Sequence, residues 1–286
     1  ANLGELAPLM GVLTRRLVAL FVLALPASCL LISGSRQEGA AALPEDVKDC
    51  LRGKTVFLAG NSITRGLYFT LGAMLLHGNH HDNSTAMWRD REAQKWLCQG
   101  GPLGLLSCRY DVQALDTRLV MSMTQRLDEF VDQLKRASKK VQPDIVIVEI
   151  GLDHITGQYD VDGTGAIGFE RNIDGEFENV AHAMEHMHGD FGTKFLWRAV
   201  SHFNESSAWN KAWTNKNVDR WNQKLFEHFQ ARNFLEAEWF RYTTSTAELI
   251  DLALQKKDGW GMEDWVHPNA ETMAQLVREV APNLCF

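Results

Sequence analysis

Residues 55–65, TVFLAGNSITR, place a continuous apolar run, a glycine and a hydroxyl side chain in direct succession. The run at 55–59 is typical of a parallel strand that is buried on both faces. The stretch 62–77 is predicted to be a helix, so Ser62 should lie at a strand-to-helix turn above the sheet. Free N–H groups and the positive end of the helix dipole would stabilise an oxyanion there. The alternative is that Ser62 only caps the helix.

The alternation of strand and helix patterns continues along the rest of the chain. Further strand candidates are the apolar runs 144–150 (DIVIVEI) and 194–200 (KFLWRAV), with a weaker one at 234–240. Helical patterns cover 123–140, 177–188, 218–229, 246–255 and 271–280, the last with Asn269 as its cap. The alternation predicts the α/β class, with a doubly wound, mostly parallel sheet and helices on both faces. Ligands bind such sheets outside the carboxyl ends of the strands.

A second motif, DWVHPN at residues 264–269, comes just before the last predicted helix. A serine nucleophile needs a base to take its proton, and the base needs a carboxylate to hold its tautomer. Asp264, three residues before His267, can fold back onto Nδ1 and leave Nε2 facing the serine. Pro268 keeps His267 extended. Each motif alone could be a surface turn, but together they predict a Ser-His-Asp triad of Ser62, His267 and Asp264.

The pair of motifs, GNSITR near the start and DWVHPN near the end, resembles the SGNH/GDSL hydrolase superfamily. Arg65 and the apolar N-terminal segment resemble its PC-esterase branch, which includes plant trichome-birefringence-like polysaccharide O-acetyltransferases and the fungal capsule O-acetylation protein. The resemblance covers roughly residues 52–286. It implies an SGNH-hydrolase-like fold with Ser62 as nucleophile and Asp264 and His267 completing the triad.

The chain departs from the family pattern at two places. Asn61 replaces the usual Asp of Gly-Asp-Ser, an exchange that keeps size and hydrogen bonding and is expected to preserve activity. Where the family has a Gly-x-Asn-Asp block, this chain has GLDH at 151–154. Asp153 stands at the position of the Asn that donates to the oxyanion, and it cannot donate unless protonated. The Gly151 backbone or His154 is therefore the expected substitute, the alternative being a donor from elsewhere in the chain.

Three further residues are candidates for contact with substrate or oxyanion. The family's other oxyanion glycine is expected at Gly101 or its neighbour Gly100. Arg65, one turn into the helix, is a candidate for orienting an acyl donor or an acidic glycan, the alternative being a solvated helix charge. Trp265, between two triad residues, is a candidate for stacking on a sugar, the alternative being a buried core residue.

The N-terminus differs from the rest of the chain. Residues 17–33 form a run without charge, directly preceded by two arginines. This pattern predicts a signal anchor, with 1–16 cytoplasmic, 34–43 a stem and 44–286 a luminal catalytic domain of a single-pass type II membrane protein. A cleaved signal peptide, which would make the protein secreted, and a buried core helix are the alternatives.

Other features favour a secretory location such as the Golgi. Residues 83–85 (NST) and 204–206 (NES) are N-glycosylation sequons. The body carries an even number of cysteines, for which we expect the pairs Cys98–Cys108 and Cys50–Cys285, with free buried thiols as the alternative. Nucleic acid is not an expected partner, because the formal net charge is −7 and the basic residues are scattered.

The sequence thus predicts serine-dependent acyl transfer or ester hydrolysis, most of all O-acetylation or de-O-acetylation of a glycan, without cofactor or metal. The partners would be an acyl donor, a glycan or other ester, and the membrane. Two other functions remain open. His182, Glu185 and His186 match the H-x-x-E-H pattern of zinc hydrolases. The second open function is that of a catalytically inactive, membrane-anchored glycan-binding protein of the same fold.

Overall fold

The computed structural model describes residues 43–77, 102–103, 107–155, 173–207, 214–255, 261–262 and 267–286. All of them belong to the compact unit Gly39–Phe286, and the other unit, Ala1–Glu38, lies outside them. The predicted segments 1–16 and 17–33, and all but the last residue of the predicted stem, are therefore outside the described part. Within that part, no helix is both long enough and apolar enough to span a bilayer.

The strands of the described residues form one six-stranded sheet. They are β1 (Thr55–Gly60), β2 (Ser107–Val112), β3 (Thr117–Met123), β4 (Ile145–Glu149), β5 (Lys194–Arg198) and β6 (Phe240–Thr243). Their spatial order is β2-β3-β1-β4-β5-β6, and only the β2–β3 pair is antiparallel. The prediction of a doubly wound, mostly parallel sheet is confirmed.

Helices cover both faces of this sheet. They are α1 (Glu45–Leu51), α2 (Ser62–His77), α3 (Leu127–Lys140), α4 (Leu152–Ile155), α5 (Ile173–Phe191), α6 (Asn215–Ala231), α7 (Ser245–Leu254) and α8 (Ala270–Val280). Through α2 and β2 the chain crosses from β1 to β3 on one side, and through α3 it crosses back over β1 to β4 on the other side. Because crossovers between parallel strands are right-handed, two crossovers in opposite directions put α2 and α3 on opposite faces of the sheet. Accordingly, α8 contacts α2 and α7, whereas α5 contacts α3 and α6.

The central strands are buried because both faces are covered. Residues 56–59 of β1 and all of β4 are inaccessible to solvent or nearly so. This two-sided burial explains why both strands are continuous apolar runs rather than alternating ones. The helices bury one stripe each, as α3 does with Leu127, Phe130, Leu134 and Ala137.

Apart from shifted element ends, such as the helix predicted at 123–140 that begins at Leu127, two parts of the fold differ from the sequence prediction. The β2–β3 hairpin was not predicted, because β2 is an edge strand whose exposed Arg109 and Asp111 interrupt its apolar pattern. The strand predicted at 234–240 is wrong except for its last residue. Phe234–Glu236 is instead a 3₁₀ turn that follows the left-handed Asn233 (φ 59°) and places Phe234 in the core.

A disulfide joins the two ends of the described domain. Cys50 of α1 bonds to Cys285, 235 residues further along the chain, which confirms one predicted pair. Cys108 is also disulfide-bonded. Cys98, its predicted partner, lies outside the described residues.

Candidate active site

The site is built on the turn between β1 and α2, at the carboxyl edge of the sheet. β1 lies between β3 and β4. The strands that follow β1 in sequence, β2 and β3, lie on one side of it, and β4 to β6 lie on the other. Such a reversal of strand order is where doubly wound sheets bind ligands. Gly60 ends β1, and a Cβ on it would lie 2.3 Å from Thr64 Oγ1 and 2.6 Å from the Glu149 carbonyl oxygen. Only glycine fits at this position.

Ser62 and His267 meet at this turn. His267 Nε2 lies 2.8 Å from Ser62 Oγ, although the two residues are 205 positions apart. Both side chains are half-buried, so the pair is accessible to a ligand. The arrangement is that of a hydroxyl nucleophile beside its general base.

The segment that carries His267 is anchored on both sides. Before it, Gly261 accepts a hydrogen bond from the Asn269 N–H at 2.9 Å. After it, the Asn269 side chain caps α8 by accepting from the Thr272 N–H at 2.9 Å, as predicted. Helix α8 packs closely on α2, since a Cβ on Gly66 would lie 2.6 Å from Met273 Cε. The imidazole is therefore brought to Ser62 by helix packing.

Several predicted site residues fall outside the described part of the chain. These are Asp264, the carboxylate of the predicted triad, together with Trp265, Gly100 and Gly101. Their assigned roles stay predictions.

The N-terminus of α2 is capped by Asn61. Its Oδ1 accepts from the N–H groups of Ile63 (2.9 Å) and Thr64 (3.4 Å), and its carbonyl accepts from the Arg65 N–H at 3.0 Å. Asn61 therefore performs the capping that was the alternative role for Ser62. Among the N–H groups of the first turn in the described residues, that of Ser62 remains as a donor beside Ser62 Oγ, at the positive end of the helix dipole.

The loop after β4 has a structural role that the sequence did not reveal. Gly151 (φ 146°) adopts a conformation that side chains rarely tolerate, and a Cβ there would lie 2.1 Å from Trp221 Nε1. Trp221 Nε1 donates to the Ile150 carbonyl at 3.0 Å. The His154 ring stacks on Trp221, with centroids 5.0 Å apart.

His154 is engaged as a hydrogen-bond acceptor. Its Nε2 accepts from the Leu127 N–H at 3.1 Å and so caps α3. Burial, followed by the charge of Arg126, lowers the His154 pKa to about 4, which keeps the imidazole neutral. Its Nε2 is therefore not available as a donor to an oxyanion, and the neutral ring carries its proton on Nδ1. Asp153 lies beside it in the short helix α4.

Arg65 lies one turn into α2, and its side chain is partly buried. Burial lowers its pKa from the ordinary range. The guanidinium is therefore not a fully solvated helix charge, which leaves it as a candidate for contact with an anionic group near Ser62.

A buried ion pair at the same edge of the sheet escaped the sequence analysis. Glu149 ends β4, Arg198 ends β5, and Arg198 Nη2 lies 2.8 Å from Glu149 Oε2 with both side chains inaccessible to solvent. Arg198 Nε also donates to Thr246 Oγ1 at 3.4 Å. The signal in the sequence was a charged residue ending each of two apolar runs, IVIVE and KFLWR.

The zinc-site pattern lies elsewhere, on α5. Arg232 Nη2 donates to both carboxylate oxygens of Glu185 at 2.8 and 2.7 Å, and His182 pairs with Glu178 at 3.1 Å. His182 and His186 line a groove of about 700 Å³ between α3 and α5 that does not include Ser62. In the ranges that the structure describes, no three His, Cys, Asp or Glu side chains are grouped as metal ligands.

Comparison with known proteins gives structural similarities only. No family model and no curated protein matches the sequence. A catalytic mutant of an acetylxylan esterase from Geobacillus stearothermophilus is similar at 15% identity and a TM-score of 0.47, over 82% of this chain and 95% of that chain. A GDSL-like lipase from Bacteroides thetaiotaomicron is similar at 14% identity and a TM-score of 0.44, over 81% and 89%. At these identities and TM-scores, the similarities assign neither family nor function to this chain.

Proposed function

We propose that this protein is a serine esterase or O-acyltransferase of the SGNH type, with Ser62 as nucleophile and His267 as general base. The observation that carries the proposal is the 2.8 Å contact between His267 Nε2 and Ser62 Oγ at the carboxyl edge of the sheet. Two residues from opposite ends of a domain meet there in the geometry that nucleophilic catalysis requires.

The reaction follows from this geometry. His267 Nε2 takes the Ser62 proton while Oγ attacks the carbonyl carbon of an ester. The oxyanion of the tetrahedral intermediate is stabilised by the Ser62 N–H and the positive end of α2. Collapse of the intermediate breaks the ester bond, and the imidazolium gives its proton to the departing alcohol. Asp264 is assigned the role of holding the imidazole through Nδ1.

Deacylation repeats these steps with a second hydroxyl. Water attacking the acyl-enzyme gives an esterase, and a sugar hydroxyl gives an O-acyltransferase. The choice depends on how well the acceptor excludes water from the site. The resemblance to the PC-esterase branch supports a glycan as substrate and an acetyl group as the one transferred.

The proposed location is the secretory pathway, with residues 17–33 as the membrane anchor. The Cys50–Cys285 disulfide supports this location, since structural disulfides persist mainly in oxidising compartments. The two sequons support it as well.

The test uses the chain produced in a secretory host. A fluorophosphonate, which forms a covalent bond to an activated serine, and an activated acetyl ester are the probes. Ser62→Ala and His267→Ala should each reduce labelling and turnover at least about 1,000-fold, because triad residues act as a unit. Ser138→Ala and His186→Ala, on α3 and α5, are the matched controls and should behave like the wild type.

Each alternative function has its own outcome. Turnover that survives Ser62→Ala but is lost with EDTA or in His186→Ala would replace the serine mechanism with the zinc one. A folded wild type that binds a glycan but shows neither labelling nor turnover would favour the inactive binding protein.

A further inference from the structure

The buried Glu149–Arg198 pair lies directly beside the turn between β1 and α2 that carries Ser62. Glu149 is in register with Gly60, the residue that ends β1. The pair is connected on its far side to α7 through Thr246, which is fully buried. Charged side chains are rarely buried completely, since desolvation is costly unless a partner compensates it. The position of the Glu149–Arg198 pair at the ends of β4 and β5, next to Ser62, therefore points to a functional role.

Asn61 connects this ion pair to Ser62. Only 6% of Asn61 is exposed, and its side-chain oxygen holds the N–H groups of Ile63 and Thr64. The side-chain amide of the same residue lies close enough to the Glu149 carboxyl to lower its pKa, and Glu149 is paired in the sheet with Gly60, the residue before Asn61. One carboxamide thus faces the first turn of α2 with its oxygen and the buried carboxylate with its nitrogen.

The charge of Glu149 depends on these neighbours. Burial raises the pKa of the Glu149 carboxyl, while Arg198 and the Asn61 side chain act in the opposite direction. Within the described residues, neither carboxylate oxygen has a hydrogen bond of regular geometry. The guanidinium and the amide therefore offset part of the cost of burying the Glu149 carboxylate.

An aspartate in place of Asn61 would lose the amide donor that faces Glu149. A carboxamide accepts and donates at once, whereas an ionised carboxylate only accepts. An Asp at position 61 could still cap α2, but it would set a second carboxylate against Glu149. Two carboxylates that share one site cannot both ionise easily, so one of them would have to take up a proton.

Resting on the proposed function, we propose that Asn61 is a positioning residue that couples the Ser62 turn to the buried Glu149–Arg198 pair, and that Glu149 is the reason for an amide at this position. The amide orients the first turn of α2, and with it Ser62 Oγ, relative to a charge that the sheet itself holds in place.

A double-variant cycle tests this coupling. Asn61→Asp adds a second carboxylate, Glu149→Gln leaves Arg198 without one, and the double variant restores one carboxylate facing one guanidinium. Each single variant should lower the melting temperature by about 10 °C, the scale expected for an uncompensated buried charge. Asn61→Asp should also lower kcat about 100-fold, because small displacements of a nucleophile are costly. KM should stay unchanged.

The double variant should recover most of both losses, with a melting temperature above that of either single variant. Fluorophosphonate titration gives the number of reactive serines per folded molecule. It therefore distinguishes a loss of kcat caused by displacement of Ser62 from one caused by a smaller fraction of folded protein. Glu227→Gln and Gln230→Glu, which exchange an amide and a carboxylate on the exposed face of α6, are the controls and should match the wild type.

Two outcomes would overturn the inference while the proposed function stands. One is an Asn61→Asp variant with wild-type kcat and melting temperature. The other is a double variant whose losses are the sum of the single losses, which would show that the sites are independent. A wild type without labelling or turnover would instead contradict the proposed function and the positioning role with it. The melting temperatures would then still show whether Asn61 and Glu149 are coupled.

Discussion

Replacing Gly60 with alanine should displace the turn between β1 and α2 that carries Ser62, because the added methyl group has no room. Its Cβ would lie 2.3 Å from Thr64 Oγ1 and 2.6 Å from the Glu149 carbonyl oxygen. Non-bonded heavy atoms rest about 3.5–4.0 Å apart, so both contacts are severe overlaps. The Thr64 hydroxyl can rotate away, but the Thr64 Cβ would stay 2.8 Å from the new methyl group. The Glu149 carbonyl cannot move away, since it belongs to β4, which pairs with β1 at this position.

The expected magnitude follows from these contacts. Overpacking a well-packed interior costs about 1–3 kcal/mol, and a collision with a paired strand belongs at the upper end. A loss of about 3 kcal/mol lowers the melting temperature of a domain of this size by about 6–12 °C. The turn must also shift relative to His267, and a displacement of about 1 Å costs about 100-fold in kcat.

The assay is thermal unfolding combined with fluorophosphonate labelling of the purified protein. The matched control is Gly189→Ala, because nothing lies within 4 Å of a Cβ at that position in α5. Alanine favours a helix over glycine by about 1 kcal/mol, so this control should raise the melting temperature and leave labelling unchanged. If Gly60→Ala keeps the wild-type melting temperature and labelling rate, the reasoning from the close approach of β4 is wrong.

Two further predictions concern stability. The pKa of His154 is lowered from 6.5 to about 4 in the folded protein, so the unfolded chain binds this proton at a higher pH than the folded one. The contribution of His154 to the free energy of unfolding should therefore be complete above pH 6.5 and fall by about 3 kcal/mol as the pH drops to 4. Urea titrations between pH 7 and 4 should show this decrease, and His154→Gln should remove it. Replacing Cys50 and Cys285 with alanine removes the disulfide that closes a loop of 235 residues. The free energy of unfolding should fall by about 5 kcal/mol in the chain-entropy model, and an unchanged urea midpoint would contradict that contribution.

The local patterns of the sequence predicted most of the elements and the approach of His267 to Ser62. Continuous apolar runs predicted β1, β4 and β5, because strands covered on both faces cannot carry exposed polar positions. Ser62 and His267 were predicted from short motifs at the two ends of the domain. A parallel sheet brings such ends together at one edge, and the 2.8 Å contact lies at that edge.

Only the tertiary structure decided the roles that depend on distant neighbours. The sequence marks Glu149 and Arg198 as charges at the ends of strands, but their pairing follows from the adjacency of β4 and β5 in the sheet. In the same way, the sequence did not show that His154 stacks on Trp221, nor that its Nε2 accepts a hydrogen bond from the Leu127 N–H. Protonation and hydrogen-bond partners are set by burial and by residues far along the chain, which no local pattern records.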